Sequence, residues 1–190
     1  KTIFNNDKRK CINCDQISYL GKDYPSIKND YKQVFSAQTA YQMTSILEGV
    51  VQRGTGKKLR DLKLNIAGKT GTTNNNTDTW FIGFTSNLLI GVYVGSDNPM
   101  PLGRYETGSK TALPIFKNFI KNAVKKSEAR PFKAAKGTVM MVVDPITGQK
   151  AKFSSKNTII EVYKEQNIID GKVLYSNTDR LDANNILKFY

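Results

Sequence analysis

Ile66-Ala67-Gly68-Lys69-Thr70-Gly71-Thr72-Thr73 opens the stretch that decides the fold. An Asn-rich loop carries it to Asp78, and Thr79-Trp80-Phe81-Ile82-Gly83-Phe84-Thr85 follows. The pair Ser86-Asn87 then leads into Leu88-Leu89-Ile90-Gly91-Val92-Tyr93-Val94. Two apolar runs joined by Ser-Asn predict a β-hairpin. Both runs are apolar at nearly every position rather than at alternate ones, which predicts a sheet covered on both faces. Lys69-Thr70-Gly71-Thr72 lies just ahead, on a predicted third strand. Its lysine and hydroxyls bracket a glycine with no side chain, so a carboxylate can approach the backbone closely and meet a cation there.

Gly68-Lys69-Thr70 is not a phosphate-binding loop. That motif needs a glycine five residues earlier, where Lys63 stands, and a helix afterwards, where Asn74-Asn75-Asn76 and a strand stand. The run fits the Lys-Thr-Gly box of serine acyl-transferases acting on peptidoglycan and β-lactams. With Asp78, Trp80-Phe81 and Gly83-Phe84-Thr85 behind it, the chain resembles the transpeptidase domain of the bifunctional (class A) penicillin-binding proteins. Gln33-Val34, Thr39-Ala40-Tyr41-Gln42-Met43, Leu47-Glu48-Gly49-Val50-Val51-Gln52-Arg53-Gly54-Thr55-Gly56, Thr107-Gly108-Ser109, Ala112 and Pro114-Ile115 carry the same resemblance. It spans roughly residues 1–126 and fades beyond.

Composition sets the outer limits. A chain of 190 residues with 39% hydrophobic content and a mean hydropathy of −0.45 has the makings of one soluble core and a small appendage. No run is long enough to span a membrane, and the first residues do not form a signal peptide, so Lys1 is expected to be a cut into a longer protein. The net charge of +13 comes mainly from lysine, with only 6 arginines and no groove-reading motif, which argues against nucleic acid as a partner. Anionic lipid headgroups or cell-wall polymer suit such a charge, although most of these lysines read as solvated surface. The chain has no histidine, which excludes Ser-His-Asp and Cys-His catalysis within it. Cys11 and Cys14 form a lone Cys-x-x-Cys. A zinc site lacks its second pair and a thioredoxin-like site lacks its βαβ context, leaving a local disulfide or two free thiols.

In chain order, residues 2–4 read as a strand end and 5–7 as its turn. Residues 8–31 read as an extended loop tied by the cysteines. A helix is predicted after the N-cap Ser36, with Phe35 stapling against Ala40 and an apolar stripe of Ala40, Met43, Leu47, Val50 and Val51. Gly54 ends it. A basic connector leads to the Lys-Thr-Gly strand, and loop follows the hairpin. A second helix is predicted over 109–126, with Leu113, Phe116, Ile120, Ala123 and Val124 on one face and Pro114 tolerated in its first turn. Residues 117–136 carry seven basic side chains against Glu128 alone. Residues 127–136 read as a linker, 138–144 as a strand closed by Pro145-Ile146-Thr147-Gly148, and 158–163 and 172–175 as further strands, the first with a helical alternative. The predicted fold class is mixed α/β (α+β). Its antiparallel sheet has helices on both faces, forming a penicillin-binding/β-lactamase-like half-domain over 1–126 with a small, mainly β appendage over 127–190.

The resemblance implies acyl transfer. A serine attacks the D-Ala-D-Ala bond of a peptidoglycan stem peptide, D-Ala leaves, and the acyl group passes to a neighbouring stem's amine. It gives Lys69 the catalytic role of orienting the proton-relay groups, and it gives Thr70, Gly71, Thr72 and Thr73 to substrate. Thr70 and Thr72 hold the carboxylate of a stem peptide or a β-lactam, Gly71 keeps the strand flat, and the Thr72 N–H is an oxyanion-hole donor. Trp80 and Phe81 are expected in the core. No cofactor or metal is implied. Working outside the membrane, the family implies an oxidised Cys11–Cys14 pair. It also implies a parent at the periplasmic face of the bacterial inner membrane, anchored upstream and carrying a glycosyltransferase domain. The family needs Ser-x-x-Lys and Ser-x-Asn motifs ahead of the box. No serine here has a lysine three residues on, and the Ser-x-Asn matches at Ser96 and Ser155 follow the box and read as decoys. The chain is therefore expected to be the C-terminal half of a transpeptidase domain, inactive alone. A non-catalytic binding module, or a related D,D-carboxypeptidase or β-lactamase, are the alternatives.

Overall fold

The computed structural model describes residues 9–14, 25–29, 32–125, 130–155, 157–169 and 172–173; the strand end and turn expected over 2–7 lie outside them. Two compact units result, Lys1–Ser36 and Ala37–Tyr190. In the first, β1 (Arg9–Ile12) pairs antiparallel with β2 (Ser26–Asn29), Cys11 facing Ile27 in register. A loop was expected there. All four residues of β1 are exposed, so the segment has no buried face to produce a readable alternation. Cys11 and Cys14 lie with 5.7 Å between their Cα atoms and their sulfurs side by side, with Asn13 in the left-handed conformation that asparagine tolerates.

The second unit is built on a three-stranded antiparallel sheet of β3 (Ala67–Thr72), β4 (Thr79–Phe84) and β5 (Leu89–Val94), in that order. Side chains alternate between faces. Thr79, Phe81 and Gly83 point to one face, where α2 (Ala112–Ala123) lies. Leu113, Phe116 and Ile120, spaced as one face of a helix, are fully buried there. Phe81 meets Phe116 edge-on at 4.7 Å. Pro114 sits in the first turn, where its missing N–H costs no helical bond.

The other face departs from expectation. Trp80, Ile82, Leu89 and Tyr93 are exposed, and among the described residues cover lies at one end, where Ala67 is buried and Phe132 stacks on Phe84 at 5.5 Å. An apolar run shows that a face avoids water without naming the polypeptide that shields it. Phe81 is core as expected, but Trp80 is 42% exposed and leans on Tyr93.

Helix α1 (Ala37–Gln52) packs along β3. Its buried residues are Tyr41, Gly49 and Val51, so the expected stripe is shifted; Ala40 and Met43 face solvent, as does Phe35. A 3-10 turn, Lys57–Leu62, follows where a plain connector was expected, burying Leu59 and Leu62. Beyond residue 130, β6 (Thr138–Val143) pairs with β7 (Ile159–Lys164), and β8 (Ile168–Ile169) with β9 (Lys172–Val173). The β6–β7 hairpin docks on α1 by polar contacts. Arg53 pairs with Glu161, and Gln42 Nε2 donates to Val162 O at 3.1 Å.

Candidate active site

The free edge of β3 is where the sequence-predicted residues meet. Thr73 N donates to Asp78 O at 3.0 Å, which makes that facing pair a hydrogen-bonded one. Antiparallel ladders alternate bonded and non-bonded pairs, so Gly71–Trp80 and Lys69–Ile82 are bonded as well. The N–H and C=O groups of Thr70 and Thr72 therefore turn away from β4, and no described strand pairs with β3 on that side. Side-chain alternation alone would separate Lys69 from the threonine hydroxyls, because it sends them to opposite faces. The lysine closes that gap by folding along the strand, its Nζ donating to Thr70 O at 3.0 Å. A cation, two hydroxyls and two outward N–H groups thus gather along one edge.

Gly71 faces Trp80, and a Cβ there would meet the Trp80 side chain at 3.2 Å, tighter than ordinary packing. Thr73 stands apart from this group. It lies past the end of β3, in the turn to β4, and its hydroxyl accepts the Asp78 N–H at 2.9 Å and lies 2.8 Å from the Thr77 hydroxyl. Tyr93 O–H donates to Asp78 Oδ1 at 2.6 Å, and Thr77 donates to Oδ2 at 3.0 Å. The Tyr93 bond, then the Thr77 bond, hold the Asp78 carboxyl below its usual range. This turn pins the end of the Lys-Thr-Gly strand.

Two further groups meet this edge, from the Gly54-Thr55-Gly56 and Thr107-Gly108-Ser109 runs that carry the family resemblance. Thr55 Oγ1 lies 2.9 Å from Thr70 Oγ1, and the Gly108 N–H donates to Thr72 Oγ1 at 3.1 Å. The signal for both was the glycines: Gly54 and Gly56 around Thr55, and Gly108 itself. Ser96 lies in the loop after β5, and Ser155 accepts the Lys152 N–H in a turn of the tail. Among the described residues no group of three or more Cys, Asp or Glu side chains is arranged to hold a metal ion.

The class of protein is defined by a family match. The model of the penicillin binding protein transpeptidase domain matches residues 4–121, and the chain belongs to that family. The relatives it resembles are penicillin-binding proteins 1A. It is 38% identical to that of Rickettsia felis over 96% of this chain and 23% of the relative. It is 39% identical to that of Pseudomonas aeruginosa over 71% of this chain and 16% of the relative. The crystal structure of penicillin-binding protein 1A from Haemophilus influenzae superposes with a TM-score of 0.61 at 30% identity, covering 75% of this chain and 22% of that one. The chain thus spans about a fifth of the length of these relatives.

Proposed function

We propose that the protein carrying this chain cross-links peptidoglycan by D,D-transpeptidation, and that this chain supplies its substrate-binding strand. The observation that carries the reading is the edge of β3, where Lys69 Nζ sits on Thr70 O and the Thr70 and Thr72 backbone groups face outward. An extended stem peptide ending in D-Ala-D-Ala would add to that edge as a further strand, the geometry by which open sheet edges take peptides. Thr70 and Thr72 would hold its carboxylate, or that of a β-lactam, by charge-assisted hydrogen bonds. The Thr72 N–H would face the developing oxyanion, and Lys69 would orient the relay groups around a serine supplied from outside these 190 residues. The parent is read as bifunctional, with a glycosyltransferase domain, at the periplasmic face of the inner membrane. The test is intact mass of the full-length protein after incubation with benzylpenicillin, together with assay of D-Ala release from a pentapeptide mimic. One covalent equivalent and D-Ala release are expected. A full-length protein that takes no adduct overturns the reading.

A further inference from the structure

The two hydroxyls of the β3 edge are each held by a group from a different loop, and those groups decide what the hydroxyls can offer a ligand. A backbone N–H can only donate. Its bond from Gly108 therefore uses the Thr72 oxygen as acceptor and leaves the Thr72 proton for an incoming anion. The Thr55–Thr70 pair has no fixed sense alone. Once a carboxylate takes the Thr70 proton, Thr55 has to be the donor. Residues two apart on one strand lie about 6.8 Å from each other on the same face. That span suits one carboxylate, each oxygen accepting from one hydroxyl.

Both loops are held rigidly. Cβ atoms at Gly54 and Gly56 would lie 3.0 Å and 3.1 Å from the Val50 backbone, and the N–H of each glycine donates to Val50 O, so Thr55 is presented from a turn pressed onto the end of α1. A Cβ at Gly108 would come within 2.5 Å of Trp80 O and 2.6 Å of Gly71 O, so any side chain there would push the N–H off Thr72. The loops are tied to each other as well, Lys58 Nζ donating to Ser109 O at 3.3 Å. Thr111 anchors the second loop to β4 through the buried Thr79 hydroxyl at 2.6 Å.

We infer that Thr55 and the Gly108 N–H are positioning groups that set Thr70 and Thr72 as paired proton donors to a ligand carboxylate. The inference rests on the proposed function and concerns the same strand. Neither group touches the ligand. Each acts through the threonine beside it.

The test uses the full-length protein and two forms of one β-lactam, the free carboxylate and its methyl ester. With the carboxylate, Thr55→Val should lower the second-order acylation rate roughly 3- to 10-fold, the loss of one hydrogen bond. With the ester, Thr55→Val and wild type should react alike. Thr55→Ser, which keeps the hydroxyl, should restore the carboxylate rate. Thr55→Val added to Thr70→Val should cost no more than Thr70→Val alone. A wild type that takes no adduct overturns the transpeptidase reading and this inference with it. A wild type that acylates, while Thr55→Val keeps full rate or slows acid and ester equally, overturns this inference alone.

Discussion

Thr72 carries the sharpest test at the scale of one residue. Thr72→Val in the full-length protein removes a hydrogen bond to a carboxylate, a loss of about 1.5–3 kcal/mol, or roughly 10- to 150-fold in acylation rate. An unchanged rate would show that the carboxylate is held elsewhere. Asp78 gives a second test, read in pH. Its folded carboxyl titrates below the usual range because Tyr93 and Thr77 donate to the charged form. A depressed acid contributes stability above its unfolded value, about pH 4, and loses it as pH falls through the folded value. Asp78→Asn should therefore lower the melting temperature at neutral pH, and the gap to wild type should close in acid. A gap that does not vary with pH contradicts this. Lys69 to Thr72 were read as site residues through the family resemblance, and the structure adds their place on the edge strand β3. Thr73 was read the same way, but its turn bonds to Asp78 arise only once β3 and β4 pair. Thr55 was legible only as part of the Gly54-Thr55-Gly56 run, and its bond to Thr70 was not, because Thr70 lies fifteen residues on and only folding brings the hydroxyls together.

Among the elements, the sheet, α2 and the span of α1 read clearly, while the buried face of α1 was read correctly only at Val51. Helix α2 packs through large side chains at one spacing, and periodicity detects that directly. Helix α1 buries Tyr41 and the bare backbone of Gly49, and it meets β7 through Gln42 and Arg53. Contacts made by glycine and by polar side chains leave no trace in hydrophobic periodicity. The packing of β4 on α2 yields a prediction of its own. A Cβ at Gly83 would lie 2.6 Å from the Phe81 ring and 2.8 Å from the Phe116 ring, whereas at Gly91 it would meet only Ile82 Cγ1, at 3.9 Å. Gly83→Ala should cost about 1–3 kcal/mol by overpacking, and Gly91→Ala should be close to neutral. Urea denaturation of both variants decides it, and equal stabilities would show that the Phe81–Phe116 contact yields freely. In the first unit, the oxidised Cys11–Cys14 pair is a prediction for the native, extracytoplasmic protein. Thiol titration of unreduced, denatured protein should find no free sulfhydryl, and finding two would refute the disulfide.

For the chain as a whole, the function proposed above gives the β3 edge groups that bind and orient and places the nucleophile elsewhere. Covalent catalysis needs a nucleophile beside a base that can take its proton. No serine among the 190 residues is followed three positions later by a lysine, the one-turn spacing that would bring those two side chains together on a helix. Lys69 is occupied differently, its amine lying on Thr70 O at 3.0 Å. The Ser155 hydroxyl accepts a backbone N–H in a turn of the tail, and Ser96 sits in the loop after β5. Two hydroxyls and one cation along an open edge can attract a carboxylate, but in water such exposed contacts are each worth only about 1 kcal/mol or less. The isolated 190-residue chain should therefore bind a β-lactam weakly and reversibly. Intact-mass analysis after incubation should show no covalent adduct, and a pentapeptide mimic should release no D-Ala. A cooperative thermal melt on the same sample is needed to establish that the silent chain is folded. An adduct of one equivalent on any serine, Ser96 above all, would make this edge part of a complete active site and overturn the assignment of the nucleophile to sequence outside these residues.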